Sequence, residues 1–478
     1  MILGSALGLL LASATFALKE QESKIQLPSL GDAGGGIITP AEEYALGQSL
    51  LRVYRARLPL ANDPFIEDYT NRLIRMLAYY SDLDDKRLDI LILDSPTLNA
   101  FAAPGGIVGV NKGTFLVAQT QQQFASIMAH ELAHLSQRHH ARNLQEGKTR
   151  SIVNLAATLA AVLVAASSDS SDGIAAIPAI NAATIDAQLR FSRQLEIEAD
   201  RVGMDTLANA GFSPYAMPEM FELMQRSARY RSRPPEFLLT HPLTERRIAD
   251  SRSRADRYPA RQYSEDEQYQ FVRARAILHY ETNPQLAVKR FRNELSGSTL
   301  SPLAARYGLT LALVKAGEIE QARETFKKLS TQTNDAVILT TTEAAIDAKD
   351  NKMNRALEKI RTALKVQPTN HPLNVRYAEL LMEAGQYKAC QNILIAHKER
   401  KPDNAYVWYL LAEVNGLVGD ILAVHKARAE YFILHGIYHK AEIQLYNALR
   451  LIEKKDFQAR AKIEQRLLDV KTMRAKIM

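Results

Sequence analysis

Two histidines lie four residues apart in the sequence His130-Glu131-Leu132-Ala133-His134. Because an α-helix has about 3.6 residues per turn, residues four apart lie on one face, so both imidazoles can reach a single metal ion. Glu131 lies beside them, where its carboxylate can accept a proton from a metal-bound water. The pattern predicts a hydrolytic site with one zinc ion per chain, although a helix that carries two histidines by chance has the same spacing until a third ligand is found.

A catalytic zinc ion takes three protein ligands and leaves one position for water, so the third ligand has to come from another element. The predicted helix at about residues 188–208 carries three carboxylates that could supply it, Glu196, Glu198 and Asp200. Glu196 and Asp200 are four residues apart and share a face. One of them can bind the metal while the other accepts the spare N–H of a ligating histidine. Glu198 points about 200° away from Glu196, and we expect it to be solvated.

Three further histidines lie near these elements in the sequence. His139 and His140 follow the histidine pair on the same predicted helix but point to other sides of it than His134, so we expect both to be solvated at the helix end. His241 precedes a proline in the polar segment Leu-Leu-Thr-His-Pro-Leu-Thr-Glu-Arg-Arg. These residues alone allow an ordinary loop or N-cap histidine as well as a role in the chemistry.

Helices and strands are predicted on the N-terminal side of the motif. The motif itself lies near the end of residues 113–144, which are predicted to form one helix. A buried strand is predicted at residues 88–93, and residues 99–111 are predicted to form two short strands that bend at a Pro-Gly-Gly turn. Two helices precede the strands, the first with Thr39 as N-cap in a capping box and the second beginning near Asp63.

The chain begins with an apolar run at residues 1–17 that resembles a secretory signal, with cleavage after Ala14 or Ala17, although no Lys or Arg precedes it. We therefore expect export, with a retained N-terminal helix as the alternative. Residues 18–39 are predicted to be a Gly-rich linker. Residues 151–166 are predicted to form a helix of small apolar residues, which is either a core helix or a contact with a membrane surface or substrate.

From about residue 263 to residue 478 the sequence repeats with a period of 34 residues. Glycine or asparagine recurs in one column, small residues in a second and larger apolar residues in a third. The three columns are Gly317, Asn351, Gly385 and Gly419; Ala322, Ala356 and Cys390; and Phe326, Ile360 and Leu394. Columns that agree at one period predict a tetratricopeptide (TPR) solenoid at 263–478, after an α+β zinc domain with a small sheet at 40–258. The predicted fold class is therefore mostly α.

The composition excludes several classes of protein. With 46% hydrophobic residues the chain is not intrinsically disordered. The net charge of +7 comes from 60 basic and 53 acidic side chains spread along the sequence, so nucleic-acid binding is not supported. Cys390 is the only cysteine, so no intramolecular disulfide can form, and its place in the small-residue column predicts a buried structural thiol.

The motifs together resemble a known family. The His-Glu-Leu-Ala-His motif, followed downstream by Glu-Ile-Glu-Ala-Asp, is similar to the gluzincin metallopeptidases that include the CAAX prenyl proteases and HtpX. The resemblance implies a zincin-type metalloprotease domain in which His130, His134 and Glu196 bind zinc and Glu131 is the general base. Asp200 then has the supporting role next to a ligating histidine.

Two further segments carry the resemblance. The strand that begins with Asn99, Ala100, Phe101 and Ala102 resembles the family's edge strand, which can hold an extended peptide by main-chain hydrogen bonds. His241 and the residues after it resemble a family segment as well. The resemblance implies either that this histidine occupies the fourth zinc position and keeps the enzyme latent, or that it stabilises the tetrahedral intermediate.

A TPR array after such a protease domain is similar to the branch of the family that acts in outer-membrane β-barrel assembly. The resemblance implies a periplasmic zinc metalloendopeptidase that degrades misassembled outer-membrane β-barrel proteins and assists their assembly. The TPR domain would dock substrates or the assembly machinery, and peripheral membrane contact stays open. Two alternatives remain at this point: a chaperone or adaptor whose metal site is latent, and a cytoplasmic metalloprotease with a retained N-terminus.

Overall fold

The computed structural model describes residues 38–145, 193–229, 235–297 and 299–475. Within these residues the chain is mostly α-helical, with one three-stranded sheet in its N-terminal part and an all-α array after it. The predicted fold class is therefore confirmed. The predictions for residues 1–17, for most of 18–39 and for 151–166 lie outside the described residues.

The N-terminal part consists of α1 (Pro40–Arg57), α2 (Pro64–Tyr80), β1 (Asp89–Leu93), β2 (Ala100–Ala103), β3 (Ile107–Asn111), α3 (Thr114–Val117), α4 (Gln121–Ser136), α5 (His139–Gln145), α6 (Arg193–Asn209), α7 (Ala216–Arg229), α8 (Glu236–Thr240) and α9 (Glu245–Ala255). The C-terminal array consists of α10 (Glu267–Tyr280), α11 (Pro284–Ser296), α12 (Pro302–Ala316), α13 (Ile319–Ser330), α14 (Ala336–Lys349), α15 (Met353–Val366), α16 (His371–Glu383), α17 (Tyr387–Lys398), α18 (Ala405–Leu417), α19 (Ile421–Leu434), α20 (Tyr438–Leu451) and α21 (Phe457–Ala475).

The first two helices begin at the predicted residues. Thr39 Oγ1 accepts a hydrogen bond from the Glu42 N–H at 3.3 Å, and Glu42 Oε2 accepts one from the Thr39 N–H at 2.8 Å, which completes the capping box of α1. Asp63 caps α2 by accepting hydrogen bonds from the N–H groups of Phe65 and Ile66. The predicted N-cap Thr39 and the predicted start of the second helix near Asp63 are both confirmed.

The sheet has β3 in the centre, parallel to β1 and antiparallel to β2, so the three predicted strands are confirmed. Gly105 and Gly106 form the β2–β3 turn with φ angles of 79° and 84°, which glycine adopts without a steric penalty. Helix α1 packs on this turn at Gly47, where a Cβ would lie 2.3 Å from the carbonyl oxygen of Pro104. Strand β2 is left at the edge of the sheet and packs against α4.

The prediction of a single helix at 113–144 is wrong, because the structure has three helices there. Thr120 is the N-cap of α4, and its Oγ1 accepts a hydrogen bond from the Gln123 N–H at 3.2 Å. Helix α4 ends at a turn in which Arg138 has a φ of 49°. Arg138 is held in this conformation by hydrogen bonds of 2.9 Å to Glu43 and to the carbonyl oxygen of Ile38. The turn brings the first residues of α5 back onto α4.

Helix α4 is the centre of the N-terminal core and is buried on every side over residues 122–135. Helix α6 packs against it at Gly203, where a Cβ would lie 3.1 Å from the backbone carbonyl of Ala129. A larger side chain at this point would push the two helices apart. Their close approach brings the carboxylates of α6 next to the histidines of α4.

The repeat columns of the array follow from helix ends and helix crossings. The first column has left-handed φ angles: 80° at Gly317, 58° at Asn351, 70° at Gly385 and 81° at Gly419. This conformation ends a helix, and glycine adopts it without a Cβ clash. The second column, Ala322, Ala356 and Cys390, is fully buried. Burial raises the pKa of the Cys390 thiol to about 12, so both the solenoid and the buried structural thiol are confirmed.

The array packs onto the N-terminal part along α2. Arg275 of α10 forms an ion pair of 2.8 Å with Asp63, the N-cap of α2. Further along the array, Asn404 donates hydrogen bonds of 2.8 Å to both carboxylate oxygens of Glu67. None of the described helices has the length and apolar character needed to cross a membrane.

Candidate metal centre

Four buried side chains converge in the N-terminal part. His130, His134, Glu196 and His241 each present one ligand atom, and these atoms lie within 4.8 Å of one another. The histidine pair comes from α4, Glu196 from the first turn of α6, and His241 from the residue that follows α8. The structure thus brings together four residues that were predicted from separate parts of the sequence.

The distances identify the ligand atoms. The Nε2 atoms of His130 and His134 are 3.1 Å apart. His241 Nδ1 lies 3.3 Å from His130 Nε2 and 3.0 Å from Glu196 Oε1. The Glu196 carboxylate lies 3.5 Å from both Nε2 atoms of the histidine pair. Imidazole nitrogens and one carboxylate oxygen therefore surround a common point, which is a donor set that zinc takes in proteins.

Asp200 and Arg247 lie directly behind this cluster. Asp200 Oδ1 is 3.0 Å from His130 Nδ1, so of the two acids that share a face of α6, Glu196 joins the cluster and Asp200 supports a histidine. The buried guanidinium of Arg247 lies 2.8 Å from Glu196 Oε2 and 2.7 and 2.8 Å from the two oxygens of Asp200. Sequence reasoning missed Arg247. It follows His241 in the Leu-Thr-Glu-Arg-Arg segment, but spacing does not show which of the two arginines turns inward.

Glu131 is fully buried beside the cluster, with its Oε1 3.5 Å from His241 Nε2. Burial raises the pKa of Glu131 above its usual value. Burial lowers the pKa of His134 well below its usual value, which leaves this imidazole neutral and able to bind a metal. At His130 burial has the same effect, but the nearby carboxylates outweigh it and raise the pKa to about 9. The carboxylates of Asp200 and Glu196 therefore favour the protonated, positively charged form of His130.

The prediction that His139 and His140 are solvated is wrong. His139 is buried, and its Nδ1 lies 2.9 Å from His134 Nδ1. His140 is half-buried, and its Nε2 lies 2.9 Å from the carbonyl oxygen of Ala102. The physical reason is the turn at Arg138, which ends α4 and sets both histidines in directions that a continuous helix does not allow.

The expectation that Glu198 is solvated is wrong as well. Its side chain is 27% exposed, and its Oε2 lies 3.3 Å from His139 Nε2 and accepts a hydrogen bond from Arg142 at 2.8 Å. Both partners belong to α5. The error therefore has the same cause, because the break between α4 and α5 places these partners next to α6.

The edge strand predicted to bind substrate lies beside the cluster. The Asn111 N–H donates to the carbonyl oxygen of Asn99 at 2.9 Å. Because residues alternate along an antiparallel pair, Ala100 and Ala102 direct their N–H and C=O groups away from β3. His140 of α5 contacts this outer edge at the Ala102 carbonyl oxygen. At the start of the edge, Asn99 Nδ2 donates to the Glu236 carboxylate of α8 at 3.3 Å.

Comparison with known proteins shows the family to which the chain belongs. Residues 66–255 match the model of peptidase family M48, and residues 348–414 match a tetratricopeptide repeat model. The β-barrel assembly-enhancing protease of Escherichia coli O157:H7 is 31% identical over 416 residues, which cover 87% of this chain and 85% of that protein. Its counterpart in Vibrio cholerae is 33% identical over 438 residues, 91% of this chain and 90% of that protein. The chain belongs to peptidase family M48.

A mitochondrial metalloendopeptidase of Schizosaccharomyces pombe is also similar to this M48 peptidase, at 29% identity over 180 residues, 38% of this chain and 50% of that protein. Family M48 is zinc-dependent, and the nitrogen and oxygen donors of the cluster fit zinc. The predicted enzyme class, a zinc metallopeptidase, and the predicted cofactor are therefore confirmed. The domain boundaries at 40–258 and 263–478 stay predictions.

Proposed function

We propose that this M48 peptidase is a zinc endopeptidase in which His130, His134 and Glu196 hold the metal and Glu131 is the general base. The observation that carries the proposal is the convergence of buried ligand atoms within 4.8 Å of one another, with the Glu131 carboxylate at their side. His130 and His134 have the helical spacing that zinc needs, and Glu196 supplies the charge that a third ligand adds.

The chain's own residues supply the proton transfers. When bound, zinc lowers the pKa of a water ligand and polarises the scissile carbonyl. Glu131 accepts the proton of the attacking water and delivers it to the leaving amine. Its burial favours this role because a raised pKa makes the carboxylate a stronger base. Asp200 and Arg247 hold His130 and Glu196 in place throughout the reaction.

The outer edge of β2 is the substrate-binding strand in this proposal. Its Ala100 backbone groups point away from β3 and can pair with an extended peptide as one more strand, whereas at Ala102 the peptide would have to replace His140, whose Nε2 lies 2.9 Å from the Ala102 carbonyl oxygen. Such pairing uses the main chain of the substrate and few of its side chains. It therefore favours unfolded segments and unpaired strands over folded proteins.

In this proposal His241 is a latch: it occupies the open metal position and keeps the enzyme latent. Its Nδ1 lies among the ligand atoms, and its ring stacks on Phe237 of α8 with centroids 4.6 Å apart. The same helix contacts the start of β2 through Glu236. A histidine at this point competes with water for the metal, which supports the latent state over a role in stabilising the tetrahedral intermediate. A displacement of α8 would free the metal position and the start of the edge strand together.

The proposed substrates are outer-membrane β-barrel proteins that are misassembled or stalled during assembly in the periplasm. The names of the relatives from Escherichia coli and Vibrio cholerae support this substrate class. The TPR array supports a docking role towards substrates or the assembly machinery, since such arrays bind other proteins on extended surfaces. The apolar segment at residues 1–17 supports export.

A substrate trap tests the proposed function. Glu131→Gln removes the base and keeps the metal ligands, so substrates should bind without being cleaved. We expect mass spectrometry of proteins captured with this variant in cells to recover outer-membrane β-barrel proteins and their assembly factors.

The matched control is the double variant with His241→Ala, which opens the proposed latch and should capture more of the same substrates. The wild-type chain gives the background. Recovery of cytoplasmic proteins alone would contradict both the substrate class and the location.

A further inference from the structure

His139 links a proposed zinc ligand to an acid on α6. Its imidazole is fully buried, and its Nδ1 lies 2.9 Å from His134 Nδ1, with the two rings at 80° to each other. Its Nε2 lies 3.3 Å from Glu198 Oε2. Glu198 also accepts a hydrogen bond from Arg142 at 2.8 Å. These contacts form a continuous chain from His134 to a charge pair at the surface.

The directions of the hydrogen bonds follow from the ligand atoms. His134 presents Nε2 to the other ligand atoms, so its Nδ1 has to carry the proton. An N–H group donates, so His139 accepts at Nδ1 and carries its own proton at Nε2. That second N–H donates to the Glu198 carboxylate. Each of the two histidines is therefore held in one tautomer.

The other ligating histidine has a support of the same kind. His130 Nδ1 faces Asp200 at 3.0 Å, and Arg247 holds Asp200 at 2.7 Å. Each ligating histidine is supported by an acid of α6 that is paired with an arginine. Asp200 contacts the His130 ring directly, whereas Glu198 supports His134 through His139. Alternate residues of the Glu-Ile-Glu-Ala-Asp sequence thus supply one metal ligand and two supporting acids.

We propose that His139 is a positioning residue, which fixes the tautomer and the ring orientation of His134 and is itself held by Glu198 and Arg142. This inference rests on the proposed ligation of zinc by His134. In metalloproteins, removal of a group that orients a ligating histidine lowers metal affinity by roughly 10- to 100-fold. The structure therefore assigns to His139 a measurable share of the affinity for zinc.

Substitution of His139 in the full chain tests the assignment. His139→Leu removes the acceptor and keeps an apolar side chain in the buried space. We expect its zinc affinity, measured at neutral pH by competition with a chromophoric chelator, to fall by roughly 10- to 100-fold. His139→Asn places an acceptor oxygen near the lost Nδ1 and should recover most of the affinity. His140→Leu is the matched control, because His140 contacts Ala102 and should keep the wild-type zinc affinity.

His134→Ala separates this inference from the proposed function. If it binds zinc as the wild type does, the ligand assignment fails and the inference fails with it. If it loses zinc while His139→Leu binds zinc as tightly as the wild type, the ligand assignment stands and the role of His139 is overturned. Circular dichroism with chelator present checks that each variant folds. Should His139→Leu not fold, Glu198→Ala takes its place, because it removes the acceptor of the His139 N–H at a partly exposed position, and unchanged zinc affinity there overturns the inference as well.

Discussion

Replacing Arg247 by leucine removes a buried cation that contacts two acids of the metal centre. Its guanidinium lies 2.7 to 2.8 Å from oxygens of Glu196 and Asp200. Hydrogen bonds to charged groups contribute roughly 1.5–3 kcal/mol each. The two acids can take up protons when the cation is lost, so the loss in the free energy of unfolding is smaller than the sum of these hydrogen bonds. Removing one partner of a buried ion pair costs about 3–5 kcal/mol. We expect the free energy of unfolding to fall by this amount when a chelator keeps zinc away.

The same substitution changes the dependence of stability on pH. Burial raises the pKa of Glu196, but His241, His130 and Arg247 outweigh it and hold the pKa well below its usual value. A carboxyl group with a lowered pKa stabilises the folded state above its unfolded pKa, and this contribution is lost as the pH falls through the folded pKa. Without Arg247 the folded pKa of Glu196 lies nearer the unfolded value, so the contribution at neutral pH is smaller and its loss on acidification is complete at a higher pH.

Urea unfolding, followed by circular dichroism at neutral and mildly acidic pH, measures both effects. Arg247→Lys is the control, because it keeps the charge but loses the planar fork, and it should fall between the wild type and the leucine variant. If Arg247→Leu unfolds at the same urea concentration as the wild type, the reasoning on this ion pair is wrong.

Three further substitutions test the latch, the edge strand and the solenoid. His241→Ala should raise basal cleavage of a fluorogenic peptide, by about tenfold for each 1.4 kcal/mol that favours the closed state, whereas lost cleavage would assign His241 to the tetrahedral intermediate. Ala100→Pro removes an N–H that faces away from β3, so cleavage should fall at constant zinc content, and unchanged cleavage would exclude this edge as the binding strand. Gly385→Ala places a Cβ at a φ of 70° with no atom within 4 Å, so thermal unfolding should show a loss of about 1 kcal/mol from backbone strain alone, and an unchanged melting temperature would contradict this.

Features that depend on local geometry were predictable from the sequence. The spacing of His130 and His134 places both rings on one helical face, and the 34-residue period of the array marks helix ends such as Gly385 that need a left-handed backbone. The capping box at Thr39 is also local. Family resemblance, and not helical spacing, identified Glu196 as the ligand, because Glu196 and Asp200 lie on the same face of the helix.

Features that depend on distant contacts were not predictable. Arg138 adopts a left-handed conformation because Glu43, 95 residues away in sequence, and the Ile38 carbonyl bind its side chain. No residue near Arg138 signals a break in the helix, so the placement of His139 was wrong as a consequence. Arg247 is a similar case, because its inward direction depends on how α9 packs against α6.

The role of Glu131 at the zinc site is tested by one comparison of purified proteins. Zinc content and peptide cleavage are measured together for the wild type and for Glu131→Gln, both with His241→Ala so that the latch is open. We predict equal zinc content and a loss of cleavage of roughly 100- to 10,000-fold in the Gln variant, since a positioned general base contributes that much. A Glu131→Gln protein that binds zinc and cleaves the peptide at the wild-type rate would contradict the proposed mechanism.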